Sequence, residues 1–229
     1  MTKLILLLFS MTLFACGQKG TSETTVPVTE VKKAPATTVP LFDADSAYAY
    51  VEKQVSFGYR VPNTPAHKVC GDYLASELKR FGAQVYEQEA TLTAYDGTPL
   101  ESRNIIGSFN PDKDKRILLF AHWDTRPYSD HDPDPANHKK PLDGADDGAS
   151  GVGALLEIAR QIGMKAPETG VDIIFFDAED YGTPEFAKDR YNDTSDTWCL
   201  GSRFWGKNPH KPGYKAEFGI LPVSYTHLR

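Results

Sequence analysis

Cysteine is scarce in this chain, 3 in 229 residues, too few for a small fold stapled by disulfides. Basic blocks are missing as well. The balance is acidic, with 25 Lys and Arg against 31 Asp and Glu and a formal charge of −6, which argues against nucleic acid as the partner. The main apolar run, near the N-terminus, is broken by Ser10 and Thr12 and falls short of the roughly 20 residues a membrane-spanning helix needs. Neither a collagen-like nor a coiled-coil composition is present. What is there is 40% hydrophobic residues in a chain long enough for one domain with a sizeable core.

Residues 1–15 read as an export signal. Lys3 supplies the positive start, Leu4-Ile5-Leu6-Leu7-Leu8-Phe9 the short apolar run, and Leu13-Phe14-Ala15 leads into Cys16. That ending resembles a bacterial lipobox. The resemblance implies lipidation of Cys16 and a protein anchored to a membrane, facing the periplasm or cell exterior; secretion without the lipid is the alternative. Residues 16–40 carry Pro27, Pro35 and Pro40 and no sustained apolar period, so they are expected to form a flexible tether. Cys70 and Cys199 remain, and the sequence leaves open whether they pair.

The body, residues 41–221, alternates two periodicities. Val69, Cys70, Tyr73, Leu74, Leu78 and Phe81 recur at helical spacing over 66–81, and Gly82 follows as a stop. Strands are expected from Val85 onward and over 104–109. Arg116-Ile117-Leu118-Leu119-Phe120-Ala121 and Val171-Asp172-Ile173-Ile174-Phe175-Phe176 read as strands covered on both faces, with a helix over 149–162 between them. This alternation predicts an α/β fold of three layers, a mostly parallel mixed sheet flanked by helices. Ligands in such sheets sit beyond the carboxyl ends of the strands.

Three polar clusters lie where that rule points. His122-Trp123-Asp124-Thr125-Arg126-Pro127 follows one strand, and Asp177-Ala178-Glu179-Asp180-Tyr181-Gly182 follows the other. Asp143-Gly144-Ala145-Asp146-Asp147-Gly148 leads into the helix between them. His122, Asp147 and Asp180 are zinc-ligand types delivered from three elements. Glu179, adjacent to Asp180, is left to act as general base and acid. Asp124, two residues after His122, is placed to accept the other imidazole N–H. Gly144 and Gly148 let the loop turn tightly, and a helix N-terminus would favour an anionic Asp147.

Taken singly, each cluster is more often turn or cap chemistry; the series of three carries the inference. The loop from Ser129 to His138 is dense in His and Asp, but its prolines and lack of apolar anchors mark it as a solvated surface loop. Gly148-Ala149-Ser150-Gly151-Val152 is no nucleophile elbow, because Val152 stands where the last glycine belongs. Tyr181, Trp198, Phe204 and Trp205 are expected mainly in the core.

Together, His122-x-Asp124, Gly144-Ala145-x-Asp147 with Ala149-Ser150-Gly151, Ala178-Glu179-Asp180 and Leu200-Gly201-Ser202 resemble the zinc aminopeptidase and glutaminyl-peptide cyclotransferase family, metallopeptidase family twenty-eight. The segments 122–127 and 177–182 are more similar to its bacterial cyclotransferase branch. The resemblance implies that Asp147 and Asp180 hold zinc and that Glu179 shuttles the proton. It gives His122 a second zinc only in two-metal aminopeptidases, so the cofactor is one zinc, or two. Asp180 stands where many members carry Glu. Family members continue further, with a strand-end Asp and a final zinc-binding His. Here residues 216–221 look like the start of that strand, and 222–229, including His227, are expected to be a non-native tail.

The expected function is therefore conversion of an N-terminal Gln to pyroglutamate with release of ammonia. The substrates would be peptide or protein N-termini, the membrane would be met through the lipid, and no nucleic acid is involved. The alternatives are a two-zinc aminopeptidase and a non-catalytic lipoprotein of the same fold.

Overall fold

A computed structural model describes residues 39–191 and 195–223. The export signal, Cys16, the tether up to residue 38 and residues 224–229 with His227 lie outside the described residues. Met1–Val39 and Pro40–Arg229 are separate units; all that follows concerns the second.

Its elements, in chain order, are α1 (Ala44–Ser56), α2 (Pro65–Arg80), β1 (Gln84–Thr93), β2 (Pro99–Phe109), β3 (Arg116–His122), α3 (Ser150–Met164), β4 (Gly170–Phe176), α4 (Leu200–Lys207) and β5 (Phe218–Ile220). One sheet runs β1-β2-β4-β3-β5. The parallel pairings predicted by the alternating pattern occupy one half, β4 with β3 and β3 with β5. The other half is antiparallel, β1 with β2 and β2 with β4. β5 is the short strand foreshadowed at 216–221.

Local chemistry explains the borders. The Thr64 side chain accepts the His67 N–H at 3.2 Å, Pro65 opens α2, and Lys79 and Arg80 occupy its last turn. Cys70, Leu74, Ala75 and Leu78 form the buried stripe of α2, whereas Val69, expected on that face, is half exposed. All of β4 is buried.

Alternation along the strands divides the core into two layers. Ile105, Leu119, Ala121, Ile173 and Phe175 face α2 and α3. Ile106, Ile174 and Phe176 face the other way, with Leu118, Phe120 and Trp205 of α4 packed against them. Cys70 and Cys199 are free thiols. No helix among the described residues is long and apolar enough to cross a membrane.

Candidate metal centre

β3 and β4 run parallel in a register that sets His122 opposite Phe176. Both strands therefore end at one rim, and the polar clusters after them meet there. His122 is buried, Asp180 half-buried and Asp147 exposed. One donor atom from each lies within 4.8 Å of the other two, and His122 Nε2 is 2.9 Å from Asp147 Oδ1. The structure thus brings together the three residues that the sequence proposes as metal ligands.

Each arrives differently. His122 is the last residue of β3. Asp147 lies three residues ahead of α3 in a kinked turn, its own backbone extended at φ −84° and ψ 114°, so it precedes the helix N-terminus where the sequence had placed it. Gly144 and Gly148 flank it with φ of +58° and +90°, a region costly for residues with a Cβ. A Cβ on Gly148 would also meet the Asp124 carbonyl at 3.0 Å and the His122 ring at 3.2 Å. Asp180 sits in the loop after β4, in which Ala178 takes φ +51°. Strain of this kind persists only where the surroundings impose it. Here the N–H groups of Cys199, Leu200 and Gly201, at the start of α4, donate to the carbonyls of Glu179, Ala178 and Asp177 at 3.0–3.1 Å.

Asp124 faces His122 and the loop after β4 together. Its carboxylate pairs with His122 Nδ1 at 3.6 Å, longer than a hydrogen bond, and that nitrogen is buried without a hydrogen-bond partner. The two Asp124 oxygens also accept the N–H groups of Glu179 at 3.0 Å and Asp180 at 3.1 Å. Asp124 thereby orients the loop that carries Glu179 and Asp180.

Charge is crowded at this rim. Burial raises the Asp180 pKa to about 7; nearby His122 opposes this, and Asp124, Asp147 and Glu179 add to it. Burial likewise lifts the Glu179 carboxyl above its ordinary value. Burial works against charge on the His122 ring, but the carboxylates of Asp124 and Asp147 outweigh it and raise its pKa well above the usual histidine value. Among the described residues no hydrogen bond or ion pair engages the Glu179 carboxylate.

This donor set fits zinc. It combines an imidazole with carboxylates, turns His122 Nε2 toward the Asp147 carboxylate, and concentrates negative charge that a cation would relieve. Two donors about 2 Å from one ion stand at most about 4 Å apart, so the trio needs only a small closure. A cavity of about 270 Å³ reaches His122, Asp147, Glu179 and Ser150.

Several residues that shape the rim carried no legible signal. Arg60 is fully buried and donates to the carbonyls of Trp123, Asp143 and Gly144, joining two of the loops. Asp177 is fully buried and accepts from His67 Nε2 at 2.9 Å and from the N–H groups of Arg103 and Ala178 at 2.7 Å. Asp130, in the loop read as solvated, is buried against Arg126; His131 and Asp134 of that loop are exposed as expected. Tyr181, Trp198, Phe204 and Trp205 are half-buried.

Comparison with known proteins agrees with this geometry. The model of Peptidase family M28 matches residues 104–222, more than half of the chain. A crystal structure of a Zn-dependent exopeptidase from Parabacteroides distasonis is 76% identical, with a TM-score of 0.78, covering 80% of this chain and 62% of that one. Glutaminyl cyclase from Bacteroides thetaiotaomicron is 61% identical with a TM-score of 0.79, and that from Tannerella forsythia 69% with 0.76; each match covers 80% of this chain and 62% of the other. The chain spans 31% and 39% of the curated relatives it matches. Sheet, rim and sequence agree: the chain belongs to peptidase family M28.

Proposed function

We propose that this protein is an exported zinc-dependent glutaminyl-peptide cyclotransferase, closing an N-terminal Gln into pyroglutamate and releasing ammonia. The observation that carries the reading is the Glu179 carboxyl. It is half-buried, lifted in pKa, free of hydrogen bonds among the described residues and fixed at its own N–H beside the ligand trio. Strong similarity to two glutaminyl cyclases supports it.

Asp147 and Asp180 would hold the metal, and His122, whose Nε2 lies 2.9 Å from Asp147, would serve a second zinc in the two-metal case. Zinc, when bound, supplies a Lewis acid for the side-chain amide carbonyl of the substrate. The α-amine nitrogen bonds to the amide carbon, and the bond from that carbon to the amide nitrogen breaks. Glu179 accepts the amine proton at a carboxylate oxygen and returns it to the departing nitrogen, which leaves as ammonia. A carboxyl raised toward the working pH suits both halves of that transfer. The Asp124 grip on the Glu179 N–H keeps the base in place.

The test uses protein expressed from its whole reading frame with zinc and Gln-initiated peptides. Expected is pyroglutamate and ammonia in equal amounts, with Glu179→Gln lowering kcat by about 10²- to 10⁴-fold while zinc stays bound. Ammonia without pyroglutamate, or no turnover with zinc bound, overturns the proposal.

A second reading, a two-zinc aminopeptidase with Glu179 as base toward water, is favoured by the contact of His122 Nε2 with Asp147 and by the exopeptidase relative. It predicts two zincs per chain, one of them lost in His122→Ala, and release of free N-terminal residues. If Glu179→Gln changes no turnover on either substrate type, a non-catalytic protein of the same fold remains.

A further inference from the structure

Asp180 is the shortest carboxylate that can serve as a ligand. With one torsion fewer than Glu, its oxygens go where its backbone sends them, so the peptide groups around Asp180 decide whether the donor reaches the ion. Its N–H is held by Asp124 Oδ2 at 3.1 Å. Its carbonyl is held by Arg126 Nη1 at 3.0 Å.

Arg126 is itself immobilised. Its Nε and Nη2 form a two-pronged pair with the Asp130 carboxylate at 2.8 and 2.7 Å, and its guanidinium lies over the Trp198 ring, 4.7 Å from the centroid. The Asp130 carboxylate also accepts the Glu185 N–H at 2.8 Å. Arg126 is 8% exposed and Asp130 5%. Burial disfavours the Asp130 charge, but the Arg126 guanidinium and the Glu185 N–H outweigh it and hold the pKa at about 2. The pair is therefore a fixed charged unit. Two of its guanidinium nitrogens anchor it to the loop after β3, and a third points at the backbone of a ligand residue.

We infer that Arg126, locked by Asp130, is a positioning residue that grips the Asp180 carbonyl and so sets where this short ligand meets the metal. The inference rests on the zinc reading of the site proposed above. Side chains that orient ligands from outside the coordination sphere commonly change metal affinity by about 10- to 100-fold when removed. An ion pair serving only stability would leave that affinity alone.

The test is a two-by-two set of proteins: wild type, Arg126→Lys, Asp180→Glu and the double variant. Zinc affinity is read by competition with a chromophoric chelator. Lys keeps the charge but loses the fork that grips Asp130 and the Asp180 carbonyl together. Expected is a loss in affinity of about 10-fold or more for Arg126→Lys beside Asp180. With Glu at 180, whose extra torsion lets the carboxylate find the ion for itself, the same substitution should cost much less. Arg126→Lys that is folded and binds zinc like wild type overturns the inference. So does an equal loss in both backgrounds, within the roughly twofold scatter of independent sites.

Should Arg126→Lys not fold, Asp130→Asn replaces it, keeping shape and removing the charge, with the same pattern expected and the same result overturning it. Zinc affinity separates this inference from the cyclase reading. Wild-type protein that binds zinc but makes no pyroglutamate sinks that reading alone, whereas wild-type protein that binds no zinc sinks both.

Discussion

A charged pair enclosed by the sheet must be held by its own partners, since removal from water costs each ion several kcal/mol. Arg116 and Asp172 meet this demand. Arg116 Nε and Nη2 donate to the two Asp172 oxygens at 2.6 and 2.7 Å. The hydroxyls of Ser108 and Tyr214 donate to the same carboxylate at 2.6 and 2.9 Å. Burial opposes the Asp172 charge, but these partners outweigh it and lower the pKa below its ordinary 3.8. A depressed carboxyl contributes stability that is present above the unfolded value and is lost as pH falls through the folded one. Acidification below 3.8 should therefore destabilise wild type more steeply than Asp172→Asn, which starts out less stable at neutral pH. Arg116→Met, which leaves the carboxylate unpaired, should cost about 3–5 kcal/mol at pH 7. Urea denaturation at several pH values checks both; parallel curves for wild type and Asp172→Asn would contradict the argument.

Among the elements, α4 shows why one motif has its glycine. Gly201 lies where a Cβ would stand 2.2 Å from the Asp177 carbonyl and 2.6 Å from Asn104 Oδ1. Gly201→Ala must push α4 away from the loop whose carbonyls it caps. It should lose about 1–3 kcal/mol and weaken zinc binding as Ala178 and Asp180 shift. Gly206→Ala, in the same helix with nothing within 4 Å of its Cβ, should leave stability unchanged or slightly raised. Thermal melts of the two variants decide it, and an equal response from both would remove the close-approach explanation. α2, α3, β3 and β4 were legible because each buries a regular apolar stripe. α1 was not, since Gln54 is its one fully buried residue and so little of its surface is apolar and covered. α4 was not, because it is eight residues long and begins at Cys199 with φ +56°. The candidate trio was legible because two strand ends and the turn before α3 bring His122, Asp180 and Asp147 to one rim. Asp124, Arg60 and Arg126 act through backbone groups of other segments, and no spacing in the sequence records which backbone they will meet.

At the scale of the whole molecule, the proposed attachment and the proposed catalysis fall in different parts of the chain. The second unit begins at Pro40, 24 positions after Cys16, and its described helices offer no membrane span. We propose that anchoring comes from the Cys16 region, where a covalent acyl chain would contribute about 0.8 kcal/mol per buried CH₂ and be indifferent to salt. Charge-driven adsorption, by contrast, is screened at high ionic strength, and the net charge of −6 gives it little to work with at an anionic surface. Wild-type protein should accordingly sediment with membranes and stay there through a high-salt wash. Cys16→Ser should move to the soluble fraction or remain as an uncleaved precursor visible by mass, with turnover per folded molecule on Gln-initiated peptides unchanged. Wild-type protein that is soluble and cleaved without an added lipid mass would instead establish simple secretion, leaving the site chemistry where it stands.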